Sequence, residues 1–371
     1  MLRCKLGDCI KEVVEKTTEN NQYEVLSVTK DGIYSQEEFF KKQIASENNI
    51  GYKVIRKNNL VFSTMNLWMG SLDVLTNYEI GIVSPAYKIF EFDESKMLPE
   101  FAKYFMKSHI MLERYKDCSE QGASIVRRNL DLDQLLDTDI SIPDIKNQEQ
   151  IVSILDKADK IINNYDKLIK DKEQFIKSQF VEMFGNPNEN NKGLEIVKLK
   201  NICENLDNQR IPVTSTNRTS GEYPYYGASG IVDYVNDYIF DEDLLLVSED
   251  GANLIARVTP IAFSITGKAW VNNHAHVLRF KNKCTQIYVE NFFENLNINQ
   301  YITGITQPKL NQERLNSIEI PIPDIESQRK YMEIKKLIDK QKFELEKQKQ
   351  NYIELKKGLM QQLLTGKLKV N

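Results

Sequence analysis

Between Ile151 and Ile176 apolar side chains recur in steps of three and four, at Ile151, Ile154, Leu155, Ala158, Ile161, Ile162, Tyr165, Leu168, Ile169, Phe175 and Ile176. Such a run predicts one long helix with a coiled-coil seam. A second run, at Tyr331, Ile334, Ile338, Leu345, Tyr352, Leu355 and Leu359, repeats the heptad phase of the first after a shift of 180 positions. Gln341, Gln348 and Gln362 fall on seam positions of this second helix. It therefore has too little apolar surface to be stable alone.

The two helices are entered through the same words. ISIPDIKNQEQI at 140 to 151 returns as IPIPDIESQRKY at 320 to 331, and Leu130 and Leu135 return as Leu310 and Leu315. Pro143 and Pro323 hold the preceding residue extended, as a strand running into a helix requires. Asn147 and Ser327 are expected N-caps, since a short side-chain oxygen accepts from an orphan backbone N–H. Gly185-Asn186-Pro187 stops the first helix near Phe184, and the second ends near Thr365-Gly366.

The remaining sequence alternates short strand-like runs (NLVFSTM, IGIVSPAYKIFEF, DLLLVS, AHVLRF) with turns and shorter helices such as LPEFAKYFMKSHIMLERY and IYVENFFENL. The expected layout is a mixed α/β domain at 1–145, a helix at 146–185, a second mixed domain at 186–322 and a second helix at 323–371. The domains open alike, KLGDCI beside KLKNIC, but their interiors diverge. A duplicated frame with different contents is the main message of the chain.

Composition narrows the class without naming a chemistry. Of the 371 residues, 41% are hydrophobic and 27% charged, as in ordinary globular protein. No run comes near the roughly 18 apolar residues of a membrane span. The amphipathic, charged start MLRCKLGDCIKEVVEK does not read as a signal peptide. Five scattered cysteines (Cys4, Cys9, Cys118, Cys203, Cys284) fit free thiols in a reducing compartment better than a disulfide framework. A net charge of −4 argues against nonspecific coating of nucleic acid but leaves room for a local basic face. Residues 326 to 369 carry twelve Lys/Arg against six Asp/Glu, which is read first as a solvated helix face.

Catalytic signatures do not stand up. The chain has no GxxxxGK[ST] loop, no dinucleotide-type glycine turn around GASG at 227–230, and no Asn/Asp-Pro-Pro-Tyr segment. Pro323-Asp324 with Glu333-Ile334-Lys335 has the letters of a metal-nuclease motif. Ile334, however, lies in the helix seam, and the first copy has Ser153-Ile154-Leu155 there. His274 and His276 share a face of a predicted strand and are read as a hydrogen-bonded pair in preference to a metal site. Two groups are open to contact with phosphates and bases, or serve sheet packing and solvation. One is the tyrosine-rich YPYYGASGIVDYVNDY with Arg210 and Arg218 upstream; the other is Lys41, Lys42, Lys53, Arg56 and Lys57 in the first domain.

The duplicated I-x-I-P-D-I-x-x-Q entry, the two divergent domains, the FGNP break and the local runs YPYYGASGIVDYV, VSEDGANL, VNNHAHVLRF and TQPKLN together resemble the specificity subunit of type I restriction-modification systems. The entry is Pro-Asp-Ile where many of that family have Pro-Pro-Leu. The resemblance implies a non-catalytic chain with a pseudo-twofold internal repeat. Two target recognition domains, each reading one half of a bipartite DNA site, would be separated by two antiparallel coiled-coil helices. It implies double-stranded DNA and two adenine-N6 methyltransferase subunits as partners, with restriction subunits joining through them, in the cytoplasm. S-adenosylmethionine would belong to the methyltransferase, ATP and magnesium to the restriction subunit, and no cofactor or metal to this chain. Polarity and loop placement, not the resemblance, nominate the DNA-contacting side chains. In the first domain these are Lys41, Lys42, Arg56, Asn66, Trp68 and Ser71. In the second they are Gln209, Arg210, Ser229, Asn253, Lys268, His274 and Lys309. An enzyme that itself methylates or cleaves DNA, and a scaffold that binds protein alone, are the competing classes.

Overall fold

The computed structural model of the chain describes residues 1–30, 32–36, 48–121, 128–304 and 306–369. It divides into two compact units, Met1–Tyr165 with Gln348–Asn371, and Asp166–Lys347. The two long helices, displaced by 180 residues, run over Ile145–Phe184 and Ile325–Leu364, 40 residues each, the second shorter than the 323–371 expected of it. Each is divided between the units, at 165/166 and 347/348.

The units are built on one plan. In the first, strand Leu2–Lys5 pairs antiparallel with Asp139–Ile142, which leads into the first long helix. In the second, Glu195–Lys198 pairs with Glu319–Ile322 in the same way before the second long helix. A 3-10 turn follows each opening strand, Leu6–Asp8 and Leu199–Asn201, and delivers the chain to the edge of a four-stranded antiparallel sheet. The strand order there is Ile10–Glu12, Tyr87–Phe92, Leu60–Ser63, Leu72–Val74 in the first unit. It is Cys203–Asn205, Ala275–Phe280, Leu244–Ser248, Ala262–Ile265 in the second. The central strands, LVFS and LLLVS, are buried along their whole length, as expected of a sheet covered on both faces.

Outside this frame the units part. The first has separate two-stranded pairs, Leu26–Val28 with Ile33–Ser35, Lys53–Arg56 with Ile80–Val83, and Ser119–Gln121 with Arg128–Leu130. The second has a further four-stranded sheet, ordered Gly230–Val235, Ser220–Gly227, Lys268–Val271, Phe240–Asp241. One of its pairings is parallel, Tyr225 opposite Trp270.

Both helix starts differ from expectation by three residues. Asp144 and Asp324 are the caps: their Oδ1 atoms accept from the backbone N–H of Asn147 at 3.0 Å and of Ser327 at 2.9 Å. Asn147 and Ser327, the expected caps, instead donate their side chains back to the same aspartates. A carboxylate placed just before the first turn accepts two donors there and faces the positive end of the helix. The seam also runs differently. Ile162, Tyr165, Ile169 and Ile176 turn inward, whereas Ile161, Leu168, Phe175 and Leu355, expected in it, stand exposed. Much of the helix pairing is polar. In the first unit Tyr165 packs on Tyr352 at 5.6 Å and donates to Gln348, and Lys356 pairs with Asp159; in the second Lys342 pairs with Glu173. The apolar weight lies toward the helix ends, where Phe180 and Phe184 pack on Tyr288 and Tyr331.

Candidate nucleic-acid interface

In each unit the buried central strand emerges into a loop, and the segment just before the repeated leucine returns to that loop. In the first unit Arg128 N–H donates to the carbonyl of Met65 at 3.2 Å, two residues before Leu130. In the second, Gly251 N–H donates to Pro308 at 3.0 Å, two residues before Leu310, and Asp250 bridges Lys309. The frame therefore brings two distant segments together at corresponding places and fills them with different side chains.

The second unit fills its place with charge. Arg210 donates to Glu249 at 2.7 Å and to the carbonyls of Ala275 and Asp207, while Lys309 reaches Glu249 at 3.0 Å from the solvent side. His276, wholly buried, faces Asp207 with Nδ1 at 2.6 Å and the Leu310 carbonyl with Nε2 at 2.7 Å. Burial alone would push the Asp207 carboxyl up, but the hydrogen bond and charge of His276 outweigh it and hold it below the usual range. Glu249 likewise sits low: hydrogen bonds from Arg210 and Lys309 overcome its burial. Donor atoms of Asp207, Glu249 and His276 lie within 4.8 Å of one another, the usual density of a metal site. The His276 ring already has a partner at each nitrogen, Asp207 and the Leu310 carbonyl. The cluster is a hydrogen-bonded hub in which Arg210 and Lys309 face the two carboxylates.

Around it several nominated residues converge. His274 lies exposed just before the strand and faces both carboxylate oxygens of Asp250 at 2.9 Å. Ser229 is exposed at the tip of the hairpin Ser220–Gly227/Gly230–Val235, which is tied to the central strand by the hydroxyl of Ser248 donating to Ala228. Gln209 is exposed on the 3-10 turn Asp207–Gln209, beside Arg210. Asn253 is a loop staple, bonding Thr259 in both directions at 2.9 and 3.0 Å. Lys268 belongs to another cluster, its ammonium 4.6 Å from the Tyr238 ring and 5.4 Å from Tyr223. The tyrosine run thus serves a cation–π group as well as sheet packing.

In the first unit Asn66, Trp68 and Ser71 share the loop after Leu60–Ser63. The Asn66 carbonyl accepts from Met69 and Ser71, and the left-handed Gly70 (φ 84°) closes the short helix Leu67–Met69. Arg128 lies over Trp68, its guanidinium carbon 4.3 Å from the ring centre. Arg56 is elsewhere, paired with Glu15 at 2.9 Å on the strand Lys53–Arg56. Lys41 and Lys42 lie outside the described residues. Arg128 was missed by sequence reasoning; its one signal was its position beside the repeated Leu130, in the part that does not repeat.

The type I restriction modification DNA specificity domain family matches residues 191–355. A protein of Haemophilus influenzae named as a type I restriction enzyme specificity subunit is 36% identical over 141 residues, 38% of this chain and 35% of that relative. A Mycoplasma pneumoniae protein named as a type I specificity subunit is 25% identical over 221 residues, 56% of this chain and 77% of its own length. The chain has the fold of the Mycoplasma genitalium type I restriction-modification S subunit, with a TM-score of 0.51 at 16% identity over 98% of this chain and 96% of that one. Residues 191–355 are thus similar to the type I DNA specificity domain, and the whole chain has the fold of type I S subunits. A chain from a structure titled for complex assembly and conformational transition of the type I restriction-modification system matches with a TM-score of 0.57, at 14% identity over 98% and 97% of the two chains. The match to the Haemophilus relative spans about a third of that protein's length. Among the described residues, no helix of the chain is long and apolar enough to cross a membrane.

Proposed function

We propose that this chain is the non-catalytic DNA-reading subunit of a type I restriction-modification complex in the cytoplasm, each unit recognising one half of a bipartite site. The observation that carries this reading is the pair of corresponding loops, held by one frame and furnished with different side chains. Two readers of unlike half-sites need a common scaffold with unlike contents, since base edges are told apart by donor and acceptor pattern.

The non-repeating parts of residues 1–145 and 186–322 would be the target recognition domains, and the two long helices the spacer. Each helix has 40 residues, a length of about 60 Å at roughly 1.5 Å per residue. That is more than the roughly 34–36 Å of one duplex turn, so helix length is able to set the unread gap between half-sites. The helices would also dock two adenine-N6 methyltransferase subunits. Leu168 and Phe175 on the first helix, and Leu337 and Phe343 on the second, are exposed in the second unit and suit a partner helix. S-adenosylmethionine would enter with the methyltransferase; ATP and magnesium would enter with restriction subunits bound through it.

Mapping N6-methyladenine across the genome of cells with and without the chain tests the reading. One bipartite motif should vanish with the chain; if no motif depends on it, the reading fails. Removing seven residues from each helix at the level of Tyr165 and Tyr352 should shorten the spacer of that motif. An unchanged spacer removes the helices from that role.

A further inference from the structure

We propose that Arg128, laid on the face of Trp68, is a base-reading residue of the first unit and takes a guanine edge in the major groove. This rests on the DNA-reading function above and assigns a ligand to one side chain.

Three observations converge on Arg128. Its position corresponds to the place where the second unit gathers Glu249, Asp250, His274 and Lys309, and while its backbone takes part in the repeated frame its side chain does not repeat: its counterpart after the 180-residue shift is Pro308. Its side chain is held over the indole, which restrains the guanidinium plane without neutralising it. And its Nε–H is shut away from water and meets no acceptor among the described residues.

Several other arginines are neutralised within the fold. Arg56, Arg210, Arg218 and Arg279 each meet a carboxylate, on Glu15, Glu249, Asp233 and Glu242. Among the described residues no carboxylate pairs with Arg128. A desolvated donor without a partner opposes folding, so the fold gains nothing from this N–H as it stands. What is shut from water is shut from a base edge too, so Nε marks a guanidinium fixed in place, and a ligand's acceptors would meet its outer N–H groups. Guanine presents N7 and O6 side by side at the spacing of a guanidinium fork, and a stacked guanidinium has already lost the freedom such a contact would otherwise cost. A phosphate offers acceptors too but carries no sequence, and the test separates the two.

The chain is assembled with its methyltransferase and selected against a randomised duplex library, as wild type, Arg128→Ala, Arg128→Lys and Trp68→Leu. Base reading predicts that R128A loses the preference at one position of one half-site, by about ten- to a hundred-fold, with the other half-site intact. R128K recovers little, because a point charge cannot replace the fork. W68L, with the arginine retained but its platform removed, loses part of the same preference. Thermal melting shows that each variant is folded; if R128A does not fold, R128K carries the test. Affinity that falls equally for all sequences, with the salt slope reduced by about one and the motif unchanged, makes Arg128 a phosphate contact and overturns the proposal. So does an unchanged motif at unchanged affinity. A wild-type complex without sequence preference instead overturns the DNA-reading function itself.

Discussion

Gln148 reaches back five residues and donates from Nε2 to the carbonyl oxygen of Pro143 at 2.9 Å. Gln328 does the same to Pro323 at 2.7 Å. The free end of each amide is spent on the rest of its unit: Gln148 Oε1 accepts from Leu98 N–H at 2.9 Å, where a helix begins, and Gln328 Oε1 accepts from the Thr285 hydroxyl at 2.7 Å, in the first turn of another. Gln148 also donates to the Lys96 carbonyl. Both glutamines are buried. They latch the start of each long helix to the domain it serves, which is why the entry motif retains a glutamine five residues after its proline.

Replacing either latch with leucine leaves buried donors and acceptors unanswered. Gln148→Leu and Gln328→Leu should each cost about 1–3 kcal/mol, with the first larger because it abandons more partners. Urea unfolding of the full chain measures this; a loss under about half a kcal/mol in both would mean that the latch is not what holds the junction.

The caps give an acid-side signature. Backbone and side-chain donors of Asn147 and Ser327 hold the Asp144 and Asp324 carboxyls below their ordinary range. A depressed carboxyl contributes stability that is present above its unfolded value and lost as pH falls through the folded one. The melting temperature of Asp144→Ala and Asp324→Ala should lie below wild type near neutrality and converge with it in acid. The asparagine variants should retain most of the effect near neutrality, since an amide oxygen still accepts from the first turn.

Glu290 and Glu294 have the opposite sign. They sit one turn apart on the helix Lys283–Asn295, and burial pushes both carboxyls up despite nearby Lys335 and Lys177. A raised carboxyl contributes stability below its unfolded value, and that stability is lost as pH rises through the folded one. Between pH of about 4.5 and neutrality wild type should therefore lose stability relative to Glu290→Gln and Glu294→Gln. Urea midpoints measured across that range check it, and equal slopes in all three proteins would refute it.

Arg210 and Lys309 look alike in sequence and should behave differently. The Arg210 side chain is 13% exposed and that of Glu249 12%. Arg210→Met therefore strands a buried carboxylate and should destabilise by about 3–5 kcal/mol. Lys309 is half exposed, and Lys309→Met should change stability little while weakening duplex binding of the assembled complex. Urea unfolding and a binding titration separate them; equal destabilisation by both would place Lys309 in the hub alone.

By itself the sequence determined the frame. Helical periodicity, the Pro-Asp-Ile entry and the glycine stop act through residues three or four apart, so both helices and their 180-residue displacement were legible in order along the chain. Even there, Asp144 took the cap expected of Asn147, because both are good cap residues and only the strand-to-helix turn decides which one meets the free N–H groups. Tertiary structure alone decided what the polar residues do. Arg210 meets Glu249 across 39 positions, Arg56 meets Glu15 across 41, and Arg128 finds Trp68 across 60 (128 − 68). Ion pairing and stacking depend on distance in space, so a nominated cation becomes a structural counter-ion or an open reader only once the sheet has brought its loops together.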